Sequence, residues 1–299
     1  MKQATGICAS RRGRLLATAL AVGVCLTGAQ AVAQGGVGRA PGPLSADALD
    51  KLVPKHPGYL GALAPENIKK PRPKPAFDVT GTWFVDLSQG FSKFMFGPPY
   101  PKFKPDAQKD YEAGQKAAAE RRPYRDAIGQ CFPAGMPMIM TRVWPHAFIQ
   151  LPTAIYMVSG FTNAFRVIYL DGRGFSDPDT VIHTYNGESI GHWEGKTLVV
   201  QTKYIEPENH YIDTGIPISD DFEITERITM LDGGKRMQVE YIMIDPQNWE
   251  GEWRNTKQFT RQDHTDIGEV ECILANNAHL PGTELGNSKV GEAGTSEPK

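Results

Sequence analysis

The sequence predicts an all-β protein, an antiparallel meander closed into a barrel, with one amphipathic helix and an extended N-terminal arm. Three observations support this fold class. Short runs of β-branched and aromatic residues recur from about residue 79 onward, separated by turn residues. Eight or more strands joined by tight turns lose their exposed edges most economically by closing into a barrel. Only one segment of the predicted domain stands out as a helix.

The first 33 residues are predicted to be a signal peptide. Four basic residues lie before the apolar run of residues 15–26, and two overlapping A-x-A cleavage signals follow at residues 29–33. The apolar run is too short for a permanent transmembrane helix, so no integral membrane segment is expected after cleavage. An uncleaved anchor is the alternative. The predicted location is the periplasm or the outside of the cell, and the pair Arg11-Arg12 leaves both the general and the twin-arginine export routes open.

Charge and cysteine content agree with export. Without residues 1–33, the chain has 28 Lys and Arg residues against 34 Asp and Glu residues. This mildly acidic balance gives no indication of nucleic acid or an anionic membrane surface as a partner. Two cysteines remain, and in an oxidising compartment Cys131 and Cys272 most simply form one disulfide. The alternative, a reactive nucleophilic cysteine, lacks a recognisable basic partner in the sequence.

Composition divides the exported chain into three parts. Residues 34–75 are rich in Pro and Gly and predict an extended arm, with one short helix that Ser45 caps. Residues 76–276 form the barrel domain, and the polar residues 277–299 are expected to be a mobile tail. Within the domain, a helix is predicted to begin at Pro105 and to end before Pro123.

The strands follow the helix, apart from the first, which precedes it. They are predicted at residues 79–87, 146–151, 154–159, 163–171, 188–193, 197–205, 222–231, 236–244, 253–261 and 269–275. The segments 91–103 and 135–148 are interpreted as loops, although they concentrate Phe, Met, Trp, Tyr and Pro. Two roles suit such loops equally well: they cover the core at one end of the barrel, or they form a lid over an apolar ligand.

The segment HTYNGESIGHWEGKTLVVQT, residues 183–202, most resembles a functional motif. It is predicted to form a β-hairpin with Glu194-Gly195 as its two-residue turn, which pairs Trp193 with Lys196. The face that carries Trp193 is the better core candidate. The opposite face, with Glu188 and His192, looks either at solvent or into a polar cavity, and solvent is the default in an antiparallel sheet.

Ionisable residues recur on strand faces that are otherwise apolar. Arg166, Glu226 and Glu240 each share a predicted face with aliphatic residues. Buried charge pairing inside the barrel explains this pattern structurally, and a pocket that holds a ligand and moves a proton explains it functionally. The histidines do not show a spacing typical of a metal site, and neither a metal nor a cofactor is predicted.

Two sets of residues resemble known protein families. Gly81-Thr82-Trp83 on the first strand resembles the G-x-W motif of lipocalin-like (calycin-type) barrels, in which the Trp plugs one end under an Arg from the last strands. This implies Arg254 or Arg261 as that partner. The segments CFPAGMP, RVIYLDGRG, YNGESIGHWEGKTLVV and DTGIPISDDFEITERI are similar to an uncharacterised family of exported bacterial proteins. That similarity implies an exported single domain and gives no activity.

The function predicted first is binding of a small apolar or aromatic molecule. The candidate ligand-binding residues are Glu188, Glu226, Glu240, Trp144 and Phe148. The alternative is a cofactor-independent lyase, isomerase or hydrolase in the same barrel cavity. Its general base is His192 or His183, and a developing anion is held by Arg166 together with Tyr185 or Tyr169. A third hypothesis is an envelope protein whose Pro-rich arm binds a partner. The sequence does not specify an oligomeric state.

Overall fold

The computed structural model describes residues 45–48, 58–88, 90 and 94–273. The predicted signal peptide and the predicted tail lie outside these residues. In the N-terminal unit, residues 1–57, the described part is one helical turn at residues 46–48. The Ala48 backbone N–H donates to Ser45 Oγ over 3.2 Å, so Ser45 caps this turn as predicted.

The second unit, residues 58–299, contains a closed barrel. Its described elements are, in chain order, α1 (Pro65–Ile68), β1 (Gly81–Val85), β2 (Lys102–Phe103), α2 (Pro105–Ala119), β3 (His146–Gln150), β4 (Ala154–Ser159), β5 (Phe165–Tyr169), β6 (Glu188–Glu194), β7 (Thr197–Lys203), β8 (Tyr211–Asp213), β9 (Ile216–Pro217), β10 (Glu223–Leu231), β11 (Arg236–Ile244), β12 (Trp249–Glu250) and β13 (Glu252–Arg261). Within the described residues, nine strands close the ring in the order β1-β13-β11-β10-β7-β6-β5-β4-β3. The all-β barrel with one long helix is therefore confirmed.

One junction of the ring departs from the predicted meander. Strands β5 and β6 are parallel, with Ile168 beside Ser189 and Tyr169 beside Ile190. A parallel neighbour requires the chain to return to the end where β5 began. Residues 170–187 make this return, and they replace the tight turn expected of a meander. The other eight junctions are antiparallel.

The β6–β7 hairpin has the predicted faces and a shifted turn. Glu194 pairs with Thr197 and Trp193 with Leu198, so the loop is Gly195-Lys196 instead of Glu194-Gly195. Gly195 adopts φ +58°, a left-handed conformation that glycine reaches without strain. The partner of Trp193 is thus Leu198 instead of Lys196, a shift of two positions along β7. Because side chains alternate with a period of two, every residue of the hairpin stays on its predicted face. Leu198, which lies on the same face as Trp193, is fully buried, whereas the His192 side chain on the opposite face is exposed to solvent.

One end of the barrel, the hairpin end, is closed by a plug. Trp83 is fully buried there, its indole N–H donates to the Val79 carbonyl over 2.8 Å, and the Arg261 guanidinium lies 4.3 Å from its ring centroid. Arg261 is therefore the partner implied by the lipocalin-like resemblance. Arg254, the other candidate, lies on the outer surface and pairs with Glu240 and Glu252.

The opposite end carries the long connections, residues 86–145 and 204–222, and we call it the capped end. Helix α2 packs there against the β8–β9 turn, because Gly114 allows a close backbone approach to Gly215. Phe96 is fully buried and places its ring 5.1 Å from that of Tyr241 on β11. Side chains therefore fill this end of the barrel as well.

The segment just before the barrel packs on it. The Thr153 hydroxyl donates to the Ala62 carbonyl over 2.7 Å, and Asn67 Nδ2 donates to Asp171 Oδ2 over 3.0 Å. Residues 58–75, which belong to the predicted arm, thus contact the barrel. Among the residues that the structure describes, none of the helices combines the length and apolar composition needed to cross a membrane.

Candidate functional site

The inward face of the barrel holds one of the predicted charge pairs. Arg166 donates from Nη1 to Glu226 Oε1 over 3.1 Å and forms a second bond from Nη2 to Oε2. Its remaining donors reach Ser189 Oγ over 3.1 Å and Thr202 Oγ1 over 2.8 Å. Because protein atoms accept four hydrogen bonds from the guanidinium, the structural explanation of this buried pair is sufficient.

The core around this pair is densely packed. Val239, Tyr241 and Met243 of β11 are buried on the inward face, as their predicted alternation requires. The Tyr241 hydroxyl has no hydrogen-bond partner among the described residues. Burial, followed by the nearby charge of Glu226, raises its pKa well above the usual value. Phe148, a predicted ligand contact, also belongs to this core.

Most of the other predicted site residues lie apart from one another. His192 is exposed and lies 3.2 Å from Glu194, and His183 lies 3.7 Å from Asp220. The Tyr169 ring centroid lies 3.9 Å from the Arg173 guanidinium, and Glu188 accepts the Ser176 N–H over 3.1 Å. Glu240 pairs with Arg254 over 2.8 Å on the outer face. The structure therefore does not bring His192 or His183 together with Arg166, since Arg166 is inside the barrel and His192 is outside it. Glu240, predicted as a ligand-binding residue alongside Glu226, lies on the outer face and does not share the barrel interior with it.

In the described part of the chain, a cavity lies at each end of the barrel. One, of about 920 Å³, lies at the hairpin end between residues 68–78 and the ends of β5 and β6, and His192 and Trp193 line it. The other, of about 660 Å³, lies at the capped end, and none of its lining residues belongs to the nine barrel strands. We call this second cavity the cap cleft. It is the better candidate site, because several buried or partly buried polar groups with displaced pKa values line it.

The apolar wall of the cap cleft comes mainly from the two loops that concentrate Met and aromatic residues, 91–103 and 135–148, and partly from the β4–β5 connection. It is formed by Met95, Met138, Trp144 and Phe161. Trp144 and Phe161 lie with ring centroids 6.3 Å apart, and Trp144 is 39% exposed although it is a large aromatic residue. Of the five ligand-binding residues predicted from the sequence, the described structure places only Trp144 in the cleft.

A disulfide holds the outer wall of the cleft. Cys131 and Cys272 are bonded, as predicted, with their Cα atoms 5.5 Å apart across 141 positions of sequence. Next to it, the Asn163 side chain exchanges two hydrogen bonds with the Val270 backbone, at 3.0 and 3.2 Å. The side-chain amide of Asn163 thus takes the place of a neighbouring strand. Accordingly the predicted strand at residues 269–275 is wrong for its described part, residues 269–273, which are not in a strand.

The polar wall of the cap cleft includes a buried histidine. His210 Nδ1 lies 2.8 Å from the Glu206 carbonyl, which fixes the N–H on that nitrogen in the neutral ring. Nε2 makes no hydrogen bond of ordinary geometry within the described residues, although the Ala134 carbonyl lies near enough to influence it. Burial lowers the pKa of His210 to about 4, so the ring is neutral at physiological pH. The Tyr185 ring packs against the His210 ring, with 5.4 Å between the ring centroids.

Two further ionisable residues, Arg142 and Asp213, line the cleft and interact electrostatically. Burial raises the pKa of Asp213, against the opposing effects of the Thr214 N–H and of the Arg142 and Lys257 charges. Burial likewise lowers the pKa of Arg142, against the effects of Asp213 and Asp126. Each group therefore favours its neutral form more than usual. A carboxyl group in this setting is suited to hold or release a proton.

Sequence reasoning missed Arg142, Asp213 and His210. Arg142 lies inside the segment 135–148, which is notable for its apolar residues, so its position beside Trp144 was a usable signal. Asp213 and His210 lie in a connection between barrel strands, and no periodicity or spacing marks them. In the described part of the chain, no group of three or more His, Cys, Asp or Glu side chains is arranged to hold a metal ion.

Comparisons with known proteins do not place the chain in a family. No protein-family model matches it, and no curated protein is significantly similar to it. The closed barrel and the Trp83–Arg261 plug agree with a lipocalin-like architecture. The similarity to exported bacterial proteins remains a prediction.

Proposed function

We propose that this protein is exported and binds a small, largely apolar or aromatic molecule in the cap cleft. The observation that carries the proposal is the composition of the cleft: an apolar wall of Met95, Met138, Trp144 and Phe161 lies in the same cleft as the buried His210 and the partly buried Arg142 and Asp213. Ligand pockets are typically concave and mostly apolar, with a few convergent polar groups that fix orientation. The volume of about 660 Å³ lies in the usual range for small-molecule sites.

Methionine suits such a wall because its thioether is polarisable and its chain adapts to different shapes. The barrel interior is the competing location. Side chains from both ends fill it, Phe96 from the capped end and Trp83 from the hairpin end, which favours the cleft over the interior. The disulfide supports export, since disulfides persist chiefly in oxidising compartments.

The proposal is tested with N-phenyl-1-naphthylamine, an uncharged aromatic dye whose fluorescence rises in apolar surroundings. The wild-type protein is expected to bind it saturably. Trp144→Ala is expected to weaken binding by roughly tenfold, because one aromatic contact contributes about 1 kcal/mol beyond its buried area. Phe165→Ala is the matched control, since Phe165 is an exposed aromatic on the outer wall of the barrel, outside the cleft.

Two results would contradict the proposal. One is the absence of saturable dye binding to the wild-type protein. The other is an equal loss of affinity in Trp144→Ala and Phe165→Ala, which would show non-specific adsorption to exposed aromatic residues.

A second candidate function is acid/base catalysis in the same cleft, and the raised pKa of Asp213 favours it. In this version Asp213 transfers a proton to or from a bound substrate beside the Arg142 guanidinium. Incubation with a defined panel of aromatic esters, lactones and carboxylic acids, followed by mass spectrometry, tests it. Turnover by the wild-type protein that Asp213→Asn abolishes, while the dye still binds, supports catalysis. Equal turnover by both proteins excludes Asp213 from the chemistry.

A further inference from the structure

The Arg142 side chain lacks a protein partner among the described residues. Its backbone follows the short 3₁₀ helix Met138–Thr141, and the Arg142 N–H donates to the Ile139 carbonyl over 3.3 Å. The side chain extends into the cap cleft. Its Nε is enclosed and has no hydrogen-bond partner, and no hydrogen bond or ion pair within the described residues involves the guanidinium.

The other arginines that line the cleft differ from Arg142 in this respect. Arg122 Nε pairs with Glu120 over 2.7 Å, and Arg125 Nη1 pairs with Asp110 over 2.9 Å. The structure thus builds three guanidinium groups into one cleft and leaves one of them without an ion pair in the part of the chain that it describes. Leaving a cation poorly solvated and unpaired is costly, so such a group is a site for an anion.

The nearby carboxylates do not fill this role. Asp126 and Asp213 influence Arg142 electrostatically, but neither lies within 4.0 Å of it as an ion pair. Asp126 Oδ1 accepts the Gly129 N–H over 2.9 Å, and Asp213 Oδ1 accepts the Thr214 N–H over 2.7 Å. Both carboxyl groups are therefore held by their own loops. The planar fork of the guanidinium remains open for a bidentate acceptor.

We propose that the ligand of the cap cleft carries a carboxylate, sulfonate or similar anionic group, and that Arg142 binds this group while the body of the ligand packs on Trp144 and Phe161. The inference rests on the proposed function, because it names the chemical class of the molecule bound at the same site. Trp144 lies two residues after Arg142, so the cation and the aromatic wall are adjacent. The ligand class is thus an aromatic or aliphatic acid.

A matched pair of dyes tests this inference. N-Phenyl-1-naphthylamine is uncharged, and 8-anilinonaphthalene-1-sulfonate has the same aromatic skeleton with one added sulfonate. The wild-type protein is expected to bind the sulfonate roughly tenfold or more tightly than the neutral dye, as a charge-assisted hydrogen bond implies. Arg142→Gln is expected to abolish this preference, so that the affinity for the sulfonate dye falls to about that for the neutral dye. Arg122→Gln, at a paired arginine of the same cleft, is expected to keep the preference.

Each alternative outcome has one meaning. Binding of the neutral dye without a preference for the sulfonate overturns the inference and leaves the proposed function standing. Arg142→Gln that retains the preference, or that loses both dyes equally while the circular dichroism spectrum is unchanged, also overturns the inference. Failure of the wild-type protein to bind either dye overturns the proposed function, and the inference falls with it.

Discussion

Substitution of Glu226 by Gln tests whether the interior ion pair is as buried as the structure shows. Glu226→Gln keeps the shape of the side chain and one carbonyl acceptor, but it leaves the Arg166 charge without its counterion. The Glu226 side chain is 1% exposed and the Arg166 side chain is 2% exposed, so water cannot replace the lost carboxylate. Removing one partner of a buried pair costs about 3–5 kcal/mol. For a domain of this size we expect the melting temperature to fall by roughly 6–20 °C.

Two controls isolate the effect of burial. Glu240→Gln removes a carboxylate from the outer face of the adjacent strand, where its partner Arg254 is half exposed, and it should cost less than about 1 kcal/mol. The double substitution Arg166→Met with Glu226→Leu removes both charges. It is expected to recover most of the stability lost in Glu226→Gln, because a well-packed apolar pair often equals a buried ion pair.

The assay is urea-induced unfolding followed by circular dichroism and by tryptophan fluorescence. The free energy of unfolding should fall several times further in Glu226→Gln than in Glu240→Gln. Equal losses in the two single variants would refute the argument, since the environment of Glu226 would then be as well solvated as the barrel surface.

Two other predictions concern stability. Burial lowers the pKa of both His146 and His210 to about 4, so the unfolded chain takes up protons first as the pH falls below about 6.5. For each histidine, the free energy of unfolding should therefore fall by up to about 3 kcal/mol between pH 6.5 and pH 4. Urea titrations at pH 7 and pH 4.5 should show a smaller fall in the unfolding free energy for His146→Leu than for the wild-type protein. An equal fall in the two proteins would be inconsistent with this reasoning. Gly114→Ala should destabilise the protein by about 1–3 kcal/mol in spite of the better helix propensity of Ala, because the new Cβ would lie 2.9 Å from the Gly215 Cα. Gln115→Ala on the exposed side of α2 is the control, and equal melting temperatures of the two variants would contradict the close approach.

Much of the barrel follows from local patterns. Alternation placed Ile224 and Glu226 on one face of β10 without indicating its direction, and the structure shows that this face is inward. Strands β4 and β11 have the predicted bounds, because turn residues delimit them on both sides. Periodicity sets the face of every residue in a strand, so even the shifted turn of the β6–β7 hairpin left its faces correct.

The departures depend on contacts that are distant in sequence. No local pattern distinguishes a parallel from an antiparallel neighbour, so the β5–β6 junction was not predictable from its own residues. Residues 269–273 have a strand-like composition, but the Asn163 side chain binds the backbone at Val270. The short strands β2 and β12, each of two residues, pair with each other across the cap and give no periodic signal.

The candidate site was less predictable than the fold. The sequence predicted His192 as a candidate general base, but in the structure His192 and its neighbour Glu194 lie on the solvent side of the sheet. It also marked the Met-rich and aromatic segment 135–148 as either a cover over the core or a lid over a ligand, and this segment supplies Met138 and Trp144 to the cap cleft. Arg142 comes from the connection 86–145, whereas His210 and Asp213 come from the connection 204–222, and only the closed fold brings these polar groups together.

Methionine methyl resonances provide the most direct test of the central claim that a small molecule binds in the cap cleft. The protein is labelled with ¹³C at the methionine methyl groups, titrated with N-phenyl-1-naphthylamine, and assigned by Met→Leu substitutions. Met95 and Met138 line the cleft, whereas Met157, Met237 and Met243 lie in the barrel core. If the ligand occupies the cleft, the two cleft methyl signals shift with dye concentration while the three core signals stay in place. Shifts of the core signals with stationary Met95 and Met138 would place the ligand inside the barrel and contradict the claim.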